Sequence, residues 1–337
     1  HRQSLVGRLG YAYDQRYLVE FNFRYDGSDL FAQGRRFGFF PAVSAGWVIS
    51  KEAFMERVTF IDNLKLRGSY GVLGNDQIGQ YQYLQFYGYG AGLPFGDAST
   101  LQSNIFLTRL ANQDVTWEKS KKGAIGLDVG FLNDFTLEAD YFWEKRSDIL
   151  GQRGATIPAT VGASGGILPY ENFEKVNNRG FELALGYQKE LGSGLTVRAR
   201  LNVSRARNTV IDIGEPADKA DRIRQAGKPL YSVFGYKALG LFQSAAEIQT
   251  AYGNNYPDLK PGDIHYADLN GDGKIDGSDM TYIGNTNLPE NIYGFLATLN
   301  YKGFDFSMFW QGGSGNQQLF YNWMAKPFNQ AGNALNA

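Results

Sequence analysis

The sequence contains no cysteine and only two histidines, His1 and His265. The first absence removes disulfides, thiol catalysis and Cys-ligated zinc. The second leaves too little material for a Ser/His triad or a histidine metal cluster. An excess of either charge is missing too. The 33 basic and 34 acidic side chains leave a net charge of -1, so no basic field exists to hold a nucleic-acid backbone. No run of ~20 apolar residues occurs, which excludes a membrane-spanning helix. Helix signals are sparse, the best being residues 218–225 and 245–251, with one short turn at 52–58. A mean hydropathy of −0.35 suits a soluble protein, and equally a transmembrane barrel, in which half of every strand faces water.

What the sequence has is aromatic side chains, 15% of all residues, and they fall in alternation. In residues 16–26, Tyr17, Val19, Phe21, Phe23 and Tyr25 share one parity, and Arg16, Leu18, Glu20, Asn22, Arg24 and Asp26 the other. A strand points alternate side chains to opposite faces, so this stretch is a ribbon with one aromatic and one charged face. The pattern recurs at Leu5–Tyr13, at residues 40–50 and 64–72, and at 116–131 and 135–144. It continues at 181–187, 195–204, 293–301 and 304–310, which makes about ten strands.

The links between these strands alternate between compact and long. Residues 14–15, 133–134, 191–194 and 302–303 are tight turns, and 51–62 is of medium length. Between them lie 27–38, 74–114, 148–178 and 209–289, long and polar. A sandwich has no reason to gather its long loops at one end, whereas an outer-membrane barrel has short periplasmic turns and long extracellular loops. No second apolar layer is encoded to cover the aromatic faces. The expectation is an all-β, antiparallel transmembrane barrel segment with Arg16 at the periplasmic end and Asp26 at the extracellular end. Residues 74–114 are expected to lack sustained strands, and 230–242 to form a hairpin or edge strand inside the longest loop.

Several stretches resemble a known family. They include Val6-Gly-Arg-Leu-Gly-Tyr-Ala-Tyr13, Arg24-Tyr-Asp-Gly-Ser28, Phe40-Pro-Ala-Val-Ser-Ala-Gly-Trp47 and Leu64-Lys-Leu-Arg-Gly-Ser-Tyr-Gly71. Asn178-Arg-Gly-Phe-Glu182, Tyr231-Ser-Val-Phe-Gly-Tyr-Lys237, the stretch from Gly262 to Gly273, and Phe309-Trp-Gln-Gly312 follow in family order. Together they resemble the SusC/RagA group of TonB-dependent outer-membrane transporters of Bacteroidota. The resemblance implies a barrel of about 22 strands with a plugged lumen, a TonB box and a SusD-like surface lipoprotein as partner. It implies import of a glycan, oligosaccharide or peptide, driven through TonB, with no catalytic site. Nothing in the sequence resembles the plug or the TonB box, so the chain reads as a mid-to-late part of such a barrel, residues 1–337, with 209–289 as a long extracellular excursion. Two other readings stay open: a secreted, soluble all-β calcium-binding module that binds or cleaves glycans, and a passive porin.

The sharpest local motif is Asp268-Leu-Asn-Gly-Asp-Gly-Lys-Ile-Asp-Gly-Ser-Asp279. It fits a calcium-loop template, with oxygen ligands from Asp268, Asn270, Asp272, the Lys274 carbonyl, Asp276 and Asp279, and Gly273 for the bend. The expected role is to brace the longest loop; a metal-free Asp/Asn/Gly turn is the plainer alternative. Arg198, Arg200, Arg205 and Arg207 are candidates to line a polar lumen. Tyr81, Tyr83, Phe86, Tyr87, Tyr89, Phe95 and Tyr170 are candidates to stack on sugars or touch a lid. Glu138 and Asp140 lie on the wet parity, where lumen-wall charge explains them without catalysis.

Overall fold

A computed structural model describes residues 1–94, 101–158, 160 and 167–318. The strands in chain order are β1 (Arg2–Tyr13), β2 (Tyr17–Ser28), β3 (Phe37–Val48), β4 (Ile61–Asn75), β5 (Phe86–Pro94) and β6 (Leu101–Arg109). Then come β7 (Glu118–Phe131), β8 (Phe135–Gly151), β9 (Glu171–Leu191), β10 (Leu195–Asp212), β11 (Val233–Gly235) and β12 (Ala238–Leu241). The α-helix α1 (Ala245–Tyr252) precedes β13 (Ile264–Tyr266), β14 (Thr281–Gly284), β15 (Asn291–Tyr301) and β16 (Phe304–Ser314). The chain divides into two compact units, one of His1–Ala217 with Asn291–Gly312, the other built around Asp218–Glu290.

The first unit is one ten-stranded sheet in the order β1-β2-β3-β4-β7-β8-β9-β10-β15-β16. Consecutive members are joined by chain links that alternate from end to end, and the registered pairs are antiparallel. The compact links have the backbone that hairpins require. Asp14 and Gln15 both take φ of 50°, and Lys302 and Gly303 take 46° and 87°, the left-handed pairs whose twist matches the flanking strands. The strands outrun the apolar alternation: β9 begins at Glu171, ten residues before Phe181, within what reads as loop in the sequence. Residues 74–114 also hold more structure than the sequence suggests, since β5 and β6 pair there as a separate hairpin.

Most large apolar side chains of this sheet are exposed, and its buried cluster sits at the long-link end. Phe31, Phe40, Val115 and Trp117 pack there, with ring centroids 5.2 Å apart for Phe31–Trp117 and 5.3 Å for Phe40–Trp117. The Trp117 indole donates to the Arg36 carbonyl at 3.1 Å, which closes the β2–β3 link over the cluster. Gly74 makes this packing possible: a Cβ there would lie 2.0 Å from the Phe40 ring.

The second unit has a small aromatic core. Phe242, Ile248 and Tyr252 are buried together, and Phe242 stacks on His265 at 4.4 Å. The Tyr252 hydroxyl donates to the Tyr266 carbonyl at 2.5 Å and accepts from the Tyr266 amide at 2.9 Å. Ser244 caps α1 by accepting from the Glu247 amide at 3.2 Å. The strand segments of 230–242 do not pair with each other: β11 pairs with β14 and β12 with β13. Helix forms at α1, whereas within 218–225 only a 3₁₀ turn, Asp221–Ile223, is present.

Candidate functional site

The register joins the aromatic parities of all these strands into one surface. Phe21 lies between Leu9 and Val43. Val43 is followed by Tyr70, which lies opposite Gly123 of β7; two residues further along β7, Ile125 is opposite Tyr141 and Tyr141 opposite Phe181. Four residues along β9 on the same parity, Leu185 is opposite Leu201 and Leu201 opposite Phe295 of β15, which stacks on Trp310 of β16 at 5.5 Å. A continuous apolar face of ten strands is far larger than water-exposed patches usually are. Its chemistry calls for an apolar neighbour.

Two aromatic belts bound this face. At the compact-link end stand Tyr13, Tyr17, Trp47 and the chain Phe131–Phe135–Tyr187, with centroids 5.2 and 4.8 Å apart. At the long-link end Tyr25 stacks on Phe37 at 5.2 Å, and Tyr141 neighbours Trp143 at 6.2 Å. From Tyr17 to Tyr25 is about 27 Å along the strand, the length a tilted strand needs to cross the hydrocarbon core. Aromatic rings with polar tips settle at both edges of such a core.

The compact-link belt is anchored by one carboxylate. Glu52 accepts from the Tyr17 hydroxyl at 2.6 Å, the Trp47 indole at 2.9 Å and the Arg16 guanidinium at 3.2 Å. These hydrogen bonds, the Tyr17 bond foremost and then that of Trp47, hold the Glu52 carboxyl below its ordinary value of 4.5. A depressed folded value means that this anchor is fully present above pH 4.5 and is lost as pH falls through the folded value. Hydrogen-exchange protection at residues 47–52 of the full-length receptor, taken relative to the intrinsic rate at each pH, should therefore fall on acidification below that point, and this fall should be absent in Glu52→Gln. Equal acid sensitivity of both proteins would contradict the anchor.

The opposite face is polar and cross-linked by ions. Arg67 of β4 reaches across two strands: its Nε donates to Asp128 Oδ1 at 3.0 Å and its terminal nitrogen to Asp140 Oδ2 at 2.6 Å. Gly126 lies beneath this fork, where a Cβ would sit 2.4 Å from Asp140 Oδ1 and 2.6 Å from Arg67 Cζ. Arg8 pairs with Glu20, which also accepts from Asn22 at 2.7 Å. Arg200 stands 3.5 Å from Glu138. The small residues Gly10, Ala12, Ser44, Gly46, Ser69, Ala124 and Gly126 leave a concavity of about 530 Å³ beside Glu20, Lys65 and Arg67. Glu138 and Asp140 are thus members of an ion-paired wall.

The basic residues of β10 separate by parity. Arg198 and Arg200 lie on the polar face, in register with Thr298 and Leu296. Arg205 and Arg207 lie on the aromatic parity, opposite Phe181 and Arg179. The expectation of four lumen arginines is corrected to two, because the alternation runs on beyond the membrane band. Of the loop aromatics, Tyr89 is 84% exposed on β5 and Tyr87 is also exposed, while Phe86 lies under Arg109 at 4.3 Å. Tyr81 and Tyr83 meet edge to face at 6.1 Å. Tyr170 is half-buried, and Phe95 lies outside the described residues.

The calcium-type loop lies in the second unit, and its acids face backbone amides. Asp268 accepts from the Gly271 and Gly273 amides at 2.6 and 2.7 Å, and Gly271 and Gly273 take left-handed φ of 78° and 76°. Asn270 donates to Asp272 at 2.9 Å, and Asp272 accepts from the Lys274 amide at 2.8 Å. Asp276 accepts from Ser278 at 2.7 Å. Asp279 is 0% exposed and accepts from Leu269, Asn270 and Asp276 at 2.8, 3.3 and 2.9 Å. Its burial works to raise its carboxyl, but the three amides hold it below the usual range. Among the described residues no three acidic or histidine side chains converge closely enough to hold a metal. The loop is braced by its own amides in this arrangement.

Comparison with known proteins gives a consistent result. Residues 2–335 match the family described as TonB dependent receptor-like, beta-barrel. The TonB-dependent receptor P26 of Formosa agariphila is 32% identical over 329 residues, covering 93% of this chain and 32% of that protein. The TonB-dependent receptor SusC of Bacteroides thetaiotaomicron is 30% identical over 344 residues, covering 98% of this chain and 33% of that protein. The chain therefore spans about a third of the length of these relatives. Among solved structures, the RagAB peptide importer in its open-open state shares the fold, with a TM-score of 0.74 and 19% identity over 94% of this chain and 33% of that chain.

Proposed function

Because the chain belongs to the TonB-dependent receptor β-barrel family, we propose that it is part of the wall of a TonB-driven importer of the SusC/RagA type. The family places it in the outer membrane. The observation that carries the proposal is the two-faced sheet. Ten strands present an unbroken apolar face between aromatic belts and an ion-paired polar face behind it. Such a wall separates lipid from a wet lumen, the geometry of a gated conduit. In this reading the compact links lie in the periplasm and the long links outside the cell. The link of residues 209–289 is then extracellular, the side from which a SusD-like lipoprotein would meet the barrel.

The substrate class is a glycan or a peptide, as the resemblance to the SusC/RagA group implies; the RagAB structure is described as a peptide importer. Exposed Tyr87 and Tyr89 suit either, since an aromatic face stacks on a sugar ring or an apolar side chain. Uptake of labelled oligosaccharides and peptides by cells carrying the full-length receptor tests the proposal. Uptake of one class should stop when TonB is deleted or the proton gradient is collapsed. Flux that persists without TonB would identify a passive pore.

Calcium at Asp268, Asn270, Asp272, Lys274, Asp276 and Asp279 belongs to the same proposal and rests on the donor sequence. Bound calcium would share carboxylate oxygens that now accept from amides. Millimolar calcium should then slow proteolysis of the full-length receptor within residues 262–279 relative to EDTA. Identical cleavage in both would leave the amide network as the sole brace.

A further inference from the structure

Just beyond the long-link aromatic belt, the lipid-facing side of the sheet changes character. Two rows of cross-strand partners run there. In the first, Trp143 of β8 faces Arg179 of β9, which faces Arg207 of β10. In the next, Lys121 of β7 faces Lys145 of β8, followed by Asn177 and Thr209. Arg205 sits one row nearer the membrane, opposite Phe181. Lys121, Lys145, Arg179, Arg205 and Arg207 are all exposed. A groove of about 340 Å³ is lined by Trp143, Lys145, Arg179 and Arg207, with Glu144 also at its wall. The Glu144 carboxylate is already paired with Lys122 and Arg146, and Asp212 lies further out, opposite Lys175.

One of these contacts is a like-charge pair: Lys121 opposes Lys145. Like charges directly opposite on a sheet destabilise it. No carboxylate among the described residues pairs with Lys121, Lys145 or Arg179. Such an arrangement is stable when an anion lies between the cations. Lys145 is two residues beyond Trp143, about 7 Å along the strand, so the groove opens at headgroup depth.

We propose that this groove is a binding site for the phosphate-bearing headgroup of an anionic lipid in the leaflet at the long-link end. The arginines would grip phosphate oxygens in forks, the lysines would add unpaired charge, and Trp143 would rest against the upper acyl chain. The proposal relies on the membrane reading above for the identity of the apolar neighbour, and adds a specific lipid contact that transport does not require.

The test uses the full-length receptor in phosphatidylcholine nanodiscs, titrated with monophosphoryl lipid A and read by native mass spectrometry. The comparison is with a triple variant, Lys121→Gln, Lys145→Gln and Arg179→Gln. A surface cation is worth about fivefold in lipid attraction, so the wild type should retain the phospholipid roughly a hundredfold better than the triple variant. Arg179→Lys alone should lose less than Arg179→Gln. Because the variant removes like-charge opposition, it should fold and insert normally, as read by heat-shifted mobility on gels. Equal lipid retention by inserted wild type and variant overturns the proposal. So does displacement of the lipid by millimolar inorganic phosphate, which would mark a site for free anions. A receptor that fails to insert in its wild-type form would instead overturn the membrane reading.

Discussion

Phe21→Arg should block insertion of the receptor. Phe21 lies midway between Tyr17 and Tyr25, the two belts on β2, and its side chain is 37% exposed on the aromatic face. The site is therefore near the bilayer midplane, where an arginine on the lipid face of a barrel costs about 2–4 kcal/mol. Neighbouring Leu9 and Val43 offer it no acceptor. Asn22→Arg is the matched control. It places the same charge one residue along, on the polar face beside Glu20, 2.7 Å from the native Asn22 amide. The first variant should accumulate unfolded or be degraded, and the second should reach the outer membrane. Their ratio of heat-shifted band on gels is the readout. Equal insertion of both would mean that the aromatic face does not meet lipid.

Arg67→Leu should weaken the barrel wall by about 1–3 kcal/mol, with solvent on the half-exposed fork keeping the value low in that range. The loss exceeds that of a single ion pair because of what surrounds the fork. Asp128 is directly opposite Glu138, and Asp140 directly opposite Glu182. Without Arg67 these acids repel one another across β7, β8 and β9. Gly126→Val should reproduce most of the defect with no change in charge, since its Cβ would fall 2.6 Å from Arg67 Cζ. Arg67→Lys should rescue only in part, because a single ammonium cannot bridge two carboxylates as the planar fork does. Asp140→Asn in the Arg67→Leu background should recover stability. Urea midpoints of the full-length receptor in detergent measure all four. Unchanged midpoints would make the fork incidental.

The sheet was legible in the sequence because lipid and lumen impose opposite demands on alternate residues. Tyr17 to Tyr25 and Phe135 to Trp143 read as strands on parity alone, and tight turns such as Lys302-Gly303 marked their ends. Legibility stopped where those demands stop. The outer part of β9, Glu171 to Gly180, is still strand, but it lies beyond the apolar band and carries no alternation of hydrophobicity. For the same reason Arg205 and Arg207 looked like lumen residues although their parity is that of Phe181. The β5–β6 hairpin was hidden by its glycines, Gly88, Gly90 and Gly92, which carry no face to read. Residues 230–242 read as a hairpin or edge strand because the partners of β11 and β12, β14 and β13, are remote in sequence. The Arg67 fork was beyond reach for a similar reason: Asp128 and Asp140 are 61 and 73 residues away. The calcium-type motif, by contrast, was plain as a string of donors, but a string does not reveal that Asp268 and Asp279 turn to backbone amides.

The central claim is that the aromatic parity faces lipid and the charged parity faces water. No cysteine in these 337 residues competes with one introduced as a label. Single cysteines placed at each position from Tyr17 to Asp26 of the full-length receptor, spin-labelled in proteoliposomes, report contact with oxygen or with a water-soluble nickel chelate. Positions 17, 19, 21, 23 and 25 should favour oxygen, most strongly at 21, and positions 18, 20, 22 and 24 should favour the chelate. An absence of period two, or the opposite phase, would contradict the account.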